Sequence, residues 1–145
     1  MKPAEAKGKR KLHHYYFRMK FTIDKHDKYV IIQPHVEILD GESAPKIKAE
    51  FLLRNTGGQR NIILDLSQVK EADSSGLRTG LMAHRLCKAA GGIFILACVN
   101  QQIKSLISVC NLGGVLTLAH NTAEAEDLIF SQELEKDLKG AVEKE

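Results

Sequence analysis

The run Asn61-Ile62-Ile63-Leu64-Asp65-Leu66, the polar loop after it and the helical pattern that follows constrain the fold more than any other part of the chain. Residues 62–66 are almost continuously apolar, which suits a strand covered on both faces. Leu77, Leu81, His84 and Cys87 then recur at helical spacing through good helix formers, with Gly80 and Ala90 on the same side. Gly91-Gly92 closes that helix, and residues 93–99 form another apolar run. Strand, helix and strand in this order imply parallel strands joined by a crossover helix.

The loop between strand and helix carries the chemistry. Asp73 and Ser74 are both natural N-caps, because their side-chain oxygens accept the orphan N–H groups of a first helical turn. Gly76 removes bulk where the loop becomes helix. Ser75 therefore falls at, or one step inside, a helix N-terminus, where the macrodipole favours a covalently attached phosphate. Asp73 serves either as a cap or as a contact for a partner, and the cap is the simpler role.

The chain resembles the STAS domain, and within it the bacterial anti-sigma-factor antagonists, through Asp73-Ser74-Ser75-Gly76-Leu77 set between a strand and a helix. The resemblance runs over about residues 20–131. It includes Asn111-Leu112-Gly113-Gly114 before the last strand and Thr122-Ala123-Glu124-Ala125 opening the last helix. It implies that Ser75, the hydroxyl residue before the glycine, is phosphorylated by a partner that is both kinase and anti-sigma factor. It also implies a partner-binding face drawn from Asp40, Asp73, Ser74, Gly76, Arg78, Met82 and Arg85. The match departs around residues 33–38, where Pro34 and His35 replace the family's usual glycine and acidic turn and only Leu39-Asp40 keeps that turn's character.

The other elements fit an α/β fold, a mixed, mostly parallel sheet of about five strands covered by about four helices in the order β-β-α-β-α-β-α-β-α. Residues 21–23 and 29–32 read as a hairpin, and Pro34 stops regular pairing. A helix begins at Ser43 with Pro45 in its first turn, buries Ile47 and Phe51, and ends at residues 55–58. Ile103, Leu106, Ile107 and Cys110 make an amphipathic helix, and residues 115–119 make the fifth strand. Asn121 and Glu124 form a capping-box pattern for the last helix, with Ala125, Leu128 and Ile129 inward. Met82 and Leu86 are expected on a wet face and hint at a partner surface.

Charge divides the chain. Residues 1–20 hold seven Lys or Arg and one acid, whereas residues 21–145 hold fourteen bases and seventeen acids. Residues 1–19 read as a disordered basic arm with Met19 as an alternative natural start, 20–131 as the domain, and 132–145 as a charged, frayed helical extension. The mildly acidic body argues against direct nucleic-acid binding. With no apolar run of membrane-spanning length and no signal-peptide core, a cytoplasmic protein is expected. Cys87, Cys98 and Cys110 are an odd number on apolar stretches and read as small core residues.

Phosphate loops, dinucleotide fingerprints and metal-ligand spacings are missing from the sequence, so no cofactor and no enzymatic activity are expected. His84 lies about 13 Å along the helix from Ser75, too far to activate it. The expected function is an anti-sigma-factor antagonist that binds an ATP-binding serine kinase and is switched off when Ser75 is phosphorylated. The alternative is a STAS scaffold subunit of a larger assembly, stressosome-like or lipid-transporting, with Ser75 merely capping. A weak homodimer is compatible with either.

Overall fold

A computed structural model describes residues 20–144, so the expected basic arm lies outside the described residues. The strands are β1 (Phe21–Lys25), β2 (Val30–Pro34), β3 (Ile38–Leu39), β4 (Ile62–Asp65), β5 (Glu71–Ala72), β6 (Phe94–Ala97) and β7 (Thr117–Ala119). The helices are α1 (Ala44–Thr56), α2 (Ser74–Ala89), α3 (Gln101–Val109) and α4 (Thr122–Lys144). Five strands make one sheet in the order β1-β2-β4-β6-β7, with β1 antiparallel to β2 and the other pairs parallel. No helix among the described residues is long and apolar enough to cross a membrane.

Alternation along the central strands sends side chains to two separate cores. Val30, Ile32, Ile62, Leu64, Phe94 and Leu96 meet α1, α2 and α3 through Phe51, Leu77, Ala83, Cys87 and Ile103. Phe51 and Phe94 meet edge to face at 5.5 Å. Ile63, Ile95, Ala97 and Ala119 form the opposite face, covered by Ala125 and Ile129 of α4.

Two expectations need amendment. A second, two-stranded parallel sheet pairs β3 with β5, which the order of elements did not include. On α2, Ala83 is fully buried and Ala90 is exposed, while Met82 and Leu86 are half-buried against the main core. The stripe is thus rotated from the expected one: α1 packs along α2, and Met82 and Leu86 pack against the main core. The charged C-terminal segment is helical, since α4 runs unbroken from Thr122 to Lys144. Glu133 is 6% exposed, accepts from Arg60 Nε at 3.1 Å and from Asn61 Nδ2 at 2.9 Å, and so fixes α4 across the sheet's lower end.

Candidate functional site

The connections β2–α1 and β4–α2 emerge at the same edge of the sheet, because both follow parallel strands at their C-terminal ends. That edge carries Ser75. Asp73 is the N-cap of α2: its backbone is extended, and its Oδ1 accepts from Gly76 N at 2.9 Å. Ser74 and Ser75 are the first two helical residues, Ser74 exposed and Ser75 half-buried. Their N–H groups precede the first intrahelical bond, which runs from Leu77 N to Asp73 O at 3.1 Å. The first turn of α2 contains no acidic residue beyond the cap, so the positive end of a 16-residue helix faces outward next to the Ser75 hydroxyl.

Gly76 is needed for a different reason than its turn alone. A Cβ at this position would lie 2.2 Å from the Leu39 carbonyl oxygen. Only glycine lets α2 press against β3, and Asp73 N donates to the same carbonyl at 3.1 Å. The mini-sheet β3–β5 thereby sets the height of the helix tip.

Asp40 turns the chain from β3 into α1. Its Oδ1 accepts from Glu42 N at 3.0 Å and Ser43 N at 3.1 Å, and the Ser43 N–H bond foremost holds the carboxyl below its ordinary range. Ser43 Oγ accepts from Asp40 N at 2.9 Å, so this serine braces the turn and does not cap α1 through its side chain. The turn delivers Gly41 to Ser75: a Cβ at Gly41 would stand 3.8 Å from both Ser75 Cβ and Oγ. The glycine leaves the serine's flank clear.

Of the expected site residues, Asp40, Asp73, Ser74, Ser75 and Gly76 come together at this tip. Arg78 is exposed one turn along α2 from Ser74. Arg85 lies ten residues from Ser75, about 15 Å by helical rise, and lines a different groove. Met82, half-buried in the core, is also below the tip. Two neighbours went unforeseen: Gly41, signalled only by the Asp40-Gly41 turn, and Ile38, an apolar side chain 50% exposed in β3.

No hydrogen bond joins Ser75 to a histidine among the described residues. His84 lines the groove with Arg85, and His120 pairs with Glu124 at 3.2 Å. No group of three or more His, Cys, Asp or Glu could hold a metal among the described residues. Cys87 is fully buried and its thiol is pushed up to about 12 by burial, while burial and then Asp65 raise that of Cys98. Neither has the character of a reactive thiolate.

The STAS domain family model matches residues 20–125. The chain belongs to the STAS domain family. It is 24% identical over 116 residues to BtrV of Bordetella bronchiseptica, named as a candidate anti-sigma factor antagonist, covering 80% of this chain and 98% of that one. A crystal structure described as a candidate anti-sigma factor antagonist of Thermotoga maritima superposes with TM-score 0.70 at 26% identity, over 81% of this chain and 97% of the other. The Bacillus cell fate determinant SpoIIAA in its phosphorylated form shares the fold, with TM-score 0.59 at 21% identity over 75% and 99% of the two chains. The STAS fold and the mostly parallel five-stranded sheet expected from the sequence are thus both present.

Proposed function

We propose that this chain is an anti-sigma factor antagonist that binds an anti-sigma factor with serine kinase activity through the tip of α2, and that phosphorylation of Ser75 releases it. The observation that carries this reading is the position of Ser75. Its hydroxyl is the second residue of a helix whose first turn lacks acids, with Gly41 rather than a side chain beside it. The names of relatives that match nearly their whole length support the class of partner.

In the kinase complex, Ser75 Oγ attacks the γ-phosphorus of ATP and loses its proton to a base on the kinase. The bond to the β–γ bridging oxygen breaks, and ADP leaves. The product carries about −1.5 to −2 charges at neutral pH. The unpaired N–H groups and dipole of α2 accommodate that charge within the domain. An interface fitted to a neutral hydroxyl does not, because desolvating a dianion without a matched cation is costly. The switch needs no refolding of the domain.

Phosphosite mapping after incubation with ATP and the cognate anti-sigma kinase tests the assignment. Phosphate is expected on Ser75 and not on Ser74, and Ser75→Ala should accept none. Phosphate on Ser74 alone, or no phosphate in a kinase complex that forms and hydrolyses ATP, would overturn it.

A further inference from the structure

A second surface lies at the other end of α2. An open groove of about 580 Å³ is lined by Leu81, His84, Arg85, Lys88, Leu112 and Val115, with Ala89 at its rim. Its lining combines the apolar side chains of Leu81, Leu112 and Val115 with the cations Arg85 and Lys88. Neither Arg85 nor Lys88 has an acidic partner among the described residues, and Val115 is 39% exposed.

The chain also carries a segment of matching chemistry. Glu133 is buried, and residues 134–139 after it are all exposed. From there α4 continues eleven residues to Lys144, about 16 Å by helical rise. Leu134 and Leu138, one turn apart, are 60% and 59% exposed. Helical spacing puts Glu135 and Asp137 at the borders of this leucine stripe, and Lys136 and Lys139 on the far side. A helical tail this short, containing Gly140, has little intrinsic stability in water, so a surface covering its leucines would hold it in shape.

Tail and groove sit at the same end of the domain. The Lys136 ammonium lies beside Gly91, two residues past α2, and Lys88 and Ala89 are in the last turn of α2. An unbroken helix on the opposite face of the sheet does not turn back into its own domain's groove. We infer that the tail of α4 docks in the α2 groove of a second copy of this chain, Leu134 and Leu138 against Leu81, Leu112 and Val115 and Glu135 against Arg85 and Lys88. Two such contacts related by a two-fold axis close a dimer, and both tips carrying Ser75 stay free. The occupant is a second copy because the groove's cations and apolar lining match the acid-bordered leucines of the tail, and because both surfaces meet solvent at one end.

Sedimentation velocity of the full chain from about 2 to 200 µM tests this, with circular dichroism confirming that each variant is folded. The wild type should dimerise within that range. Leu134→Glu with Leu138→Glu, and separately Arg85→Glu with Lys88→Glu, should each weaken dimerisation at least tenfold. Adding Glu135→Lys to Lys88→Glu should recover most of what Lys88→Glu alone loses. Glu135 is chosen because Asp137 lies in the field of Arg60. A monomer at every concentration, a dimer indifferent to either variant pair, or a charge swap that recovers nothing would overturn the inference.

Discussion

The two ends of α2 are built alike and finished differently. At each, a glycine presses against a backbone carbonyl: a Cβ at Gly76 would meet Leu39 O at 2.2 Å, and one at Gly92 would meet Arg60 O at 1.9 Å. At the C-terminal end the polar groups are then closed off. Gly91 takes a φ of +84°, Gly92 N donates to Cys87 O at 2.7 Å, and Gly91 N donates to Lys88 O at 3.0 Å, so the carbonyls of Cys87 and Lys88 are satisfied. Beside them Asn61 donates to Lys28 O and Glu133 and accepts from Ile93 N, and Glu133 binds Arg60. At the N-terminal end Asp73 satisfies one N–H, and those of Ser74 and Ser75 are left over. The closed end anchors the helix, and that anchoring lets the open end hold unspent hydrogen-bonding capacity in a fixed place.

Substitutions at the two glycines should have the largest effect and should hurt equally. Gly76→Ala forces backbone apart, beyond any side-chain adjustment, and should cost about 3 kcal/mol or more, lowering Tm by roughly 10 °C. Gly92→Ala should do the same, whereas Gly41→Ala, whose new methyl meets only ordinary contacts, should leave Tm within about 2 °C. Thermal melts of the three variants check this, and a benign Gly76→Ala would mean that β3 does not clamp the tip.

The next effect belongs to the closed end. Glu133→Gln should cost about 2 kcal/mol at pH 7, below the range for a fully buried pair because the Arg60 side chain is 43% exposed. The hydrogen bond from Arg60, and then that from Asn61, holds the Glu133 carboxyl below its ordinary range. A lowered folded value means that the contribution is present above the unfolded value and is lost as pH falls through the folded one. Denaturant titrations of wild type and Glu133→Gln should therefore differ most near neutrality and converge as the pH falls below the ordinary glutamate range.

The smallest effect separates the two capping candidates at the open end. Asp73→Ala should cost about 0.5–2 kcal/mol, since Asp73 holds the cap bond. Ser74→Ala should stay within about 0.5 kcal/mol. The reverse order in chemical denaturation would move the cap to Ser74.

The sequence made the α/β order and the tip legible because both rest on local rules. Apolar runs, helical spacing and turn glycines depend on neighbours in the chain, and Asp73 as cap follows from its own side chain. What it hid depends on distant partners. Glu133 reads as solvated until Arg60 and Asn61, over seventy residues away, are brought to it. Met82 and Leu86 look exposed until the core packs against them, and β3 and β5 are two residues each, too short for any period to show. Gly41 carries no sign that its neighbour in space is Ser75.

Calorimetric titration of the anti-sigma kinase with Ser75→Ala and Ser75→Asp most directly tests whether the open end is a charge-sensitive binding surface. Both variants should melt close to wild type, since a carboxylate suits a helix N-terminus by about 0.3–1 kcal/mol. Ser75→Ala should bind within about threefold of wild type, and Ser75→Asp about a hundredfold more weakly, a loss of about 2.7 kcal/mol. Equal affinity for wild type and Ser75→Asp would contradict the switch.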